Sequence, residues 1–281
     1  MNDIKVQAAL EAIAADAARG EMVFPSHVEL AMRVQRLLDD PDCSVEQLGK
    51  LISADPFLSA RVVGMANAFA YNPSGRTTSD VRNAISRLGF KTLRTLATAV
   101  VVRQMQNMPS NPEHRQLAAR LWDHTTHVAA LARIIAKRVT RQDPETAFFA
   151  GIVHEVGSFY LLSRANSFPE LLSNDLEAWR GEGEAQIGRA VLKALGVPSV
   201  VLEAVEALWE GYLSIPPESM GDTLLLADQL SPVESPLADW EGRSGKGEPV
   251  DFDVLIGDEM LKSILADSAE DVASLTAALK A

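Results

Sequence analysis

Cysteine is almost absent from this chain: Cys43 is the single example in 281 residues, so no intrachain disulfide can brace the fold. It lies in the loop-like stretch Pro41-Asp42-Cys43-Ser44 and reads as an incidental thiol in a reducing cytoplasm. Long apolar runs are also missing; none approaches the roughly 20 residues needed to cross a bilayer. The opening Met1-Asn2-Asp3-Ile4-Lys5 lacks the basic start and apolar stretch of a secretory signal. These absences set the expectation of a cytoplasmic protein that does not meet a membrane. No segment of useful length alternates with period two, so no strand is expected. Nucleophile motifs are lacking as well: there is no Gly-x-Ser-x-Gly, and Cys43 has no histidine in a recognisable context. Gly-rich phosphate loops are absent, and Gly181-Glu182-Gly183-Glu184 carries two acids that would repel a phosphate.

A positive charge excess is missing too. Lys and Arg number 26 against 38 Asp and Glu, a net charge of −12, which argues against nucleic acid as a partner. The charge is uneven: residues 1–143 carry 18 basic and 14 acidic residues, and residues 144–281 carry 8 and 24. The acidic second half repels phosphate-rich polymers but leaves the first half free to meet a small anion.

What remains is an apolar content of 47%, enough for a sizeable core, arranged almost throughout with helical spacing. Helices are expected over 4–18, over 26–38 with Ser26 as its cap, and from Ser44 through a capping start. Asp55-Pro56 begins another, to about Phe69: Asp55 caps, and Pro56 fits the first turn because its missing N–H costs nothing there. Helices over 79–88 and 91–106 flank Gly89. Residues 113–138 repeat Leu117, Leu121, His124, Val128, Leu131 and Ile135 on one face. Asp143-Pro144 starts a helix ending near Gly157, and helices are expected over 169–180, 184–195, 199–212 and 220–230. Residues 231–250 read as loop, followed by helices over about 251–266 and 268–280.

The chemistry-bearing pattern is His124, in Leu121-Trp122-Asp123-His124 on one helix, and the doublet His154-Glu155 at the end of a second. Helical metallohydrolases gather ligands around a divalent ion in this way, although the acid of such a doublet is usually Asp. A second cluster is basic: Arg87, Lys91 and Arg94 are spaced i, i+4, i+7 on one helical face, within a stretch from 76 to 103 that has six basic residues and only Asp80 as an acid. It is a candidate anion- or partner-binding face, set against the alternative of a solvated face that pairs with the acidic second half.

Residues Leu51-Ile52-Ser53-Ala54-Asp55-Pro56 through Ala66-Asn67 resemble the hallmark segment of the HDOD domain: an apolar pair, Ser, any residue, Asp-Pro, then a helix ending in Ala-Asn. Phe24-Pro25, Ala84-Ile85-Ser86-Arg87-Leu88-Gly89, Leu121-Trp122-Asp123-His124, Ala147 to Gly157 and Leu195-Gly196-Val197-Pro198 resemble the family's other segments, in order. The resemblance spans about residues 22–230. It implies an all-α, HD-domain-like helical bundle with an N-terminal helical subdomain. The expected parts are an N-terminal helix (1–21), an HDOD-like domain (22–230, divided into 22–110 and an HD-like core 111–230), and a loop with a helical extension (231–281).

Carried over by motif, a metal site of the related phosphohydrolases would use His124, His154, Glu155 and Asp228, a set suited to Mn, Fe, Co, Ni or Zn. Glu155 stands where that pattern has Asp, and its extra methylene moves the carboxylate on the order of 1 Å outward. The histidines that many such sequences carry before Gly188 and after the following helix are replaced by Glu184-Ala185-Gln186-Ile187 and Ala204-Val205-Glu206-Ala207-Leu208-Trp209. No histidine follows His154, so a two-metal site built on those positions is excluded. The expectation is therefore a non-catalytic signalling module of the HDOD type, with no catalytic residue and no metal, acting on a signalling protein partner in the cytoplasm of a bacterium. Homo-oligomerisation stays open. The alternatives are a mono-metal phosphohydrolase acting on a nucleotide or phosphomonoester, and a small-ligand sensor that uses the former active-site pocket. Asp55, Pro56 and Asn67 are expected to be structural, with Asn67 bonding backbone near the Asn72-Pro73 turn.

Overall fold

The apolar spacing does what it dictates: every regular element among the described residues is helical. The structure, a computed structural model, describes residues 2–24, 29–172, 184–211, 213–237 and 258–280. Thirteen α-helices run through these residues: α1 (Asn2–Ala18), α2 (Glu29–Leu38), α3 (Val45–Ser53), α4 (Pro56–Asn67), α5 (Val81–Gln106), α6 (Pro112–Ile135), α7 (Pro144–Val153), α8 (Val156–Arg164), α9 (Glu184–Ala194), α10 (Ser199–Glu210), α11 (Met220–Gln229), α12 (Asp258–Asp267) and α13 (Ala269–Lys280). The expected Ser26 cap, residues 173–180 of one helix, most of the 231–250 loop and the start of the helix at 251 lie outside the described residues.

Helix starts follow cap chemistry. Asp55 accepts from the Leu58 N–H at 2.7 Å with Pro56 in the first turn, Asp143 accepts from the Thr146 N–H at 2.8 Å, and Ser44 forms a capping box with Gln47. Each such cap satisfies a backbone donor that the helix itself leaves open. Asn67 clamps the chain after α4: its amide donates to the Thr78 carbonyl and its oxygen accepts from the Thr78 N–H, both at 2.8 Å. This is the backbone role expected for it, placed on the far side of the turn.

Helix α5 touches α2, α3, α4, α7 and α8 and is the common support of the bundle. It is kinked at Gly89, whose φ of 76° and ψ of 169° are open to glycine at little cost. Two elements differ from the sequence reading. The helix expected to run from Pro144 to Gly157 stops at Val153, and a new helix, α8, begins at Val156. Residues 147–163 are buried without interruption, so no polar face marks the break. In place of the start of a helix at 169 there is a single 3₁₀ turn, Pro169–Leu172.

Helices α6 and α7 approach each other closely. A Cβ built on Gly151 would lie 2.3 Å from the Ala129 Cα and 2.8 Å from its nitrogen, so the two backbones meet with nothing between them. On α4, Gly64 faces open space. The two glycines should therefore respond oppositely to the same change. Gly151→Ala forces α6 and α7 apart and is expected to cost at least the roughly 1–3 kcal/mol of core overpacking. Gly64→Ala removes backbone freedom from the unfolded chain and is expected to stabilise by up to about 1 kcal/mol. Urea denaturation midpoints check both; a Gly151→Ala protein as stable as the parent would refute the close-packing account.

Candidate metal centre

Three helices bring three side chains to one point. His124 sits in the middle of α6, His154 follows the last residue of α7, and Asp228 lies in the last turn of α11. Helix α11 is held in place at its start, where the buried Asp222 carboxylate accepts from the N–H groups of Ser214, Glu218 and Ser219 and from the Ser219 hydroxyl. Those donors outweigh the burial of Asp222 and keep its pKa below the usual carboxylate value. Thr223, one residue on, hydrogen-bonds Thr140 at 2.6 Å in the π-helical turn Ala136–Thr140 that extends α6.

The tautomers of both histidines follow from their partners. His124 Nδ1 lies 2.7 Å from the Val233 carbonyl, and His154 Nδ1 lies 2.7 Å from the Gly151 carbonyl. A carbonyl can only accept, so each Nδ1 carries a proton and donates it. Each neutral imidazole therefore keeps a lone pair on Nε2, and these lone pairs face each other and a carboxylate. His124 Nε2 is 3.3 Å from His154 Nε2 and 3.0 Å from Asp228 Oδ1, while His154 Nε2 is 3.9 Å from the same oxygen. Three acceptors in such proximity need a cation between them, either a proton or a metal ion.

The geometry suits an ion. The point equidistant from three atoms with those separations lies about 2.0 Å from each, the length of a zinc–imidazole or zinc–carboxylate bond. The Nδ1–H to carbonyl bonds are also the outer-shell contacts that orient histidine ligands. His124, His154 and Asp228 thus form a group that could hold a metal ion. Without one, a proton takes the place. Burial pulls the His124 pKa down, but the hydrogen bond and charge of Asp228, aided by Glu155, outweigh it and leave the pKa raised. For His154 burial dominates and lowers the pKa; the Glu155 charge offsets it in part, and the His124 charge adds to the fall. Of the two rings, His124 is therefore the one on which a proton is favoured, paired with Asp228.

Glu155 is adjacent in sequence but is not one of the three converging residues. It is fully buried at the break between α7 and α8, and its carboxylate accepts from Ser158 Oγ at 2.7 Å and Ser235 Oγ at 3.4 Å. Over the cluster lies the segment 231–237, which supplies the Val233 carbonyl to His124 and Ser235 to Glu155 and buries Leu237. His124 is 1% exposed and His154 2%. These backbone and serine partners were not foreseen from the sequence. Ser158, three residues after Glu155, was the one legible signal.

The basic face is dispersed. Arg87 donates to the carbonyls of Ala66 and Arg76, Lys91 pairs with Asp143 at 3.3 Å, and Arg94 pairs with Asp39. Each cation has a partner within the fold. His127 donates Nδ1–H to the Asp123 carbonyl of its own helix and points away from the cluster.

The comparisons agree with this architecture. The family model of the HDOD domain matches residues 24–209. A curated relative, an uncharacterised protein of Treponema pallidum (strain Nichols), is 22% identical over 218 residues, and the chain spans 41% of that protein's length. Among solved structures, a protein from Shewanella amazonensis SB2B provisionally named a metal-dependent phosphohydrolase aligns with a TM-score of 0.71 at 24% identity, over 98% of this chain and 99% of that one. A protein from Marinobacter aquaeolei VT8 provisionally named a signal transduction protein aligns with a TM-score of 0.59 at 21% identity, over 100% of this chain and 67% of that one. At these identities the likeness is one of fold. With a family match over more than half its residues, on a bundle whose α6, α7 and α11 carry an HD-like ligand group, this chain belongs to the HDOD domain family.

Proposed function

We propose that the chain is a regulatory HDOD module acting through protein contacts, in which His124, His154 and Asp228 brace three helices around one cation and do not catalyse. The observation that carries this reading is the closure of the cluster. Segment 231–237 is bonded to both His124 and Glu155, and both histidines are buried. A metal hydrolase needs open coordination positions for a water nucleophile and a phosphate oxygen. Here the neighbouring carboxylate is engaged with two serines, and the approach is covered by a bonded strap. The likeness to a protein provisionally named for signal transduction is consistent with the proposal, as is the bacterial origin of the similar proteins. The expected setting is the cytoplasm of a bacterium, and the expected partner is a signalling protein.

One observation favours a second reading, a mono-metal phosphohydrolase: the ligand triangle has the dimensions of a metal site. An ion held there would act as a Lewis acid on a phosphate oxygen and acidify a bound water. The two imidazoles and Asp228 would hold it, with the Val233 and Gly151 carbonyls keeping the rings in register.

One measurement tests the ion site that both readings share, and a second separates them. Titration of the metal-free protein with Zn²⁺, Mn²⁺ or Ni²⁺ is expected to raise Tm, by about 2.7 kcal/mol of stability at 100-fold the Kd. His154→Ala and Asp228→Asn should abolish the shift, and Glu155→Gln should retain it; a shift lost with Glu155→Gln instead would move the site. With the same ions loaded, hydrolysis of p-nitrophenyl phosphate and of nucleotides is expected to stay at the level of the His124→Ala/His154→Ala protein. Turnover that the double variant lacks would establish the phosphohydrolase and end the regulatory reading.

A further inference from the structure

A cleft of about 800 Å³ lies away from the histidine cluster, between α2, α4 and the C-terminal end of α5. Its size falls within the roughly 300–1,000 Å³ typical of small-molecule sites. Arg33, Arg61 and Arg103 line it, with Asn107 beside them and Phe57 and Met108 on the apolar part of the wall.

Arg61 is the unusual member. Partly buried on α4, it makes no hydrogen bond or ion pair with any described residue. Burial, then repulsion from Arg103, lowers its pKa to about 10, with only partial relief from Asp55. That carboxylate already caps α4 through the Leu58 N–H. Glu29, the other acid on the cleft wall, is at the exposed start of α2. Arg103 is likewise lowered by burial, with partial relief from Asp123; it reaches the Leu279 carbonyl at 3.4 Å and lies over the Trp122 ring, which holds its guanidinium in place. Two desolvated guanidiniums that repel each other destabilise the empty cleft, and a bound anion would relieve both. Phe57, 83% exposed at the rim, offers an aromatic face for a planar body.

We propose that this cleft binds a small phosphorylated ligand with a planar body, of nucleotide size, with Arg61 and Arg103 on the phosphate and Phe57 against the ring. Such a site would give the module a chemical input separate from the histidine cluster. It stands whether or not the cluster proves catalytic. The α5 end of the cleft also contacts the C-terminal helix α13 through Arg103 and Leu279, so ligand binding and the seating of that helix share one side chain.

Calorimetric titration of the full chain with ADP, AMP, inorganic phosphate, adenosine and a hexaglutamate peptide tests the proposal. ADP is expected to bind one to one, phosphate at least 10-fold more weakly, and adenosine not measurably. Arg61→Met should weaken ADP at least 10-fold while raising the Tm of the ligand-free protein, since it removes a partly buried, unpaired charge. The rise itself reports that the variant folds. Should it not fold, the rim variant Arg33→Ala serves, with an expected loss of at least threefold and an unchanged Tm. His154→Ala should leave ADP binding unaltered. The proposal is overturned if neither ADP nor AMP binds saturably, if binding survives Arg61→Met undiminished, if it depends on His154, or if hexaglutamate binds more tightly than the nucleotides.

Discussion

The contact of Gly151 with Ala129 is the constraint on which the site depends. Backbone meets backbone there because residue 151 has no side chain, and any larger residue would push α7 away from α6. Ala129 is five residues beyond His124, and Gly151 is three before His154. The same glycine supplies the carbonyl that fixes the His154 ring. One small residue thus sets the separation of the two helices and the tautomer of one ligand, and the 3.3 Å between the Nε2 atoms follows from both.

Once the rings are brought together in this way, electrostatics leaves few options. Two imidazole lone pairs and a carboxylate oxygen repel one another unless a cation lies among them. A proton satisfies one pair well, on His124 toward Asp228, and leaves the His154 lone pair facing a charged neighbour. A divalent ion satisfies all three at once. The position of Glu155 then becomes intelligible. Its longer side chain would crowd a centre already filled by three ligands, and it is instead held by Ser158 and Ser235. Its carboxylate helps to fasten the segment that covers the cluster.

Much of this was legible in the sequence, for local reasons. Asp55-Pro56 and Asp143-Pro144 begin helices because a capping carboxylate and an N–H-free first residue are local chemistry. His124, His154 and Asp228 could be named because the HDOD resemblance ordered the motifs. What was not legible depends on distance in the chain. The break after Val153 is hidden because residues 147–163 are buried without interruption, so apolar spacing continues across it. The Val233 carbonyl bears no side-chain signature, and Ser235 meets Glu155 across 80 residues.

The arginines show the same limit from the other side. Spacing alone singles out Arg87, Lys91 and Arg94 as a binding face, but the kink of α5 at Gly89 separates Arg87 from the other two. The fold then brings Asp143 to Lys91 and Asp39 to Arg94 and spends Arg87 on two carbonyls. Helical periodicity fixes which cations point together and is silent on which acids will arrive from elsewhere. Arg61 and Arg103 lie on different helices and share no periodicity, yet the α4–α5 packing turns both onto one cleft, where Asp55 is already committed to its cap. A charge face that looks strong in sequence can be paired internally, and one that sequence does not mark can be left with only partial compensation from nearby acids. In an acidic chain this size, whether a cation is available to a ligand is decided by the tertiary fold, and it is the incompletely compensated pair, partly desolvated, that has free energy to gain from an incoming anion.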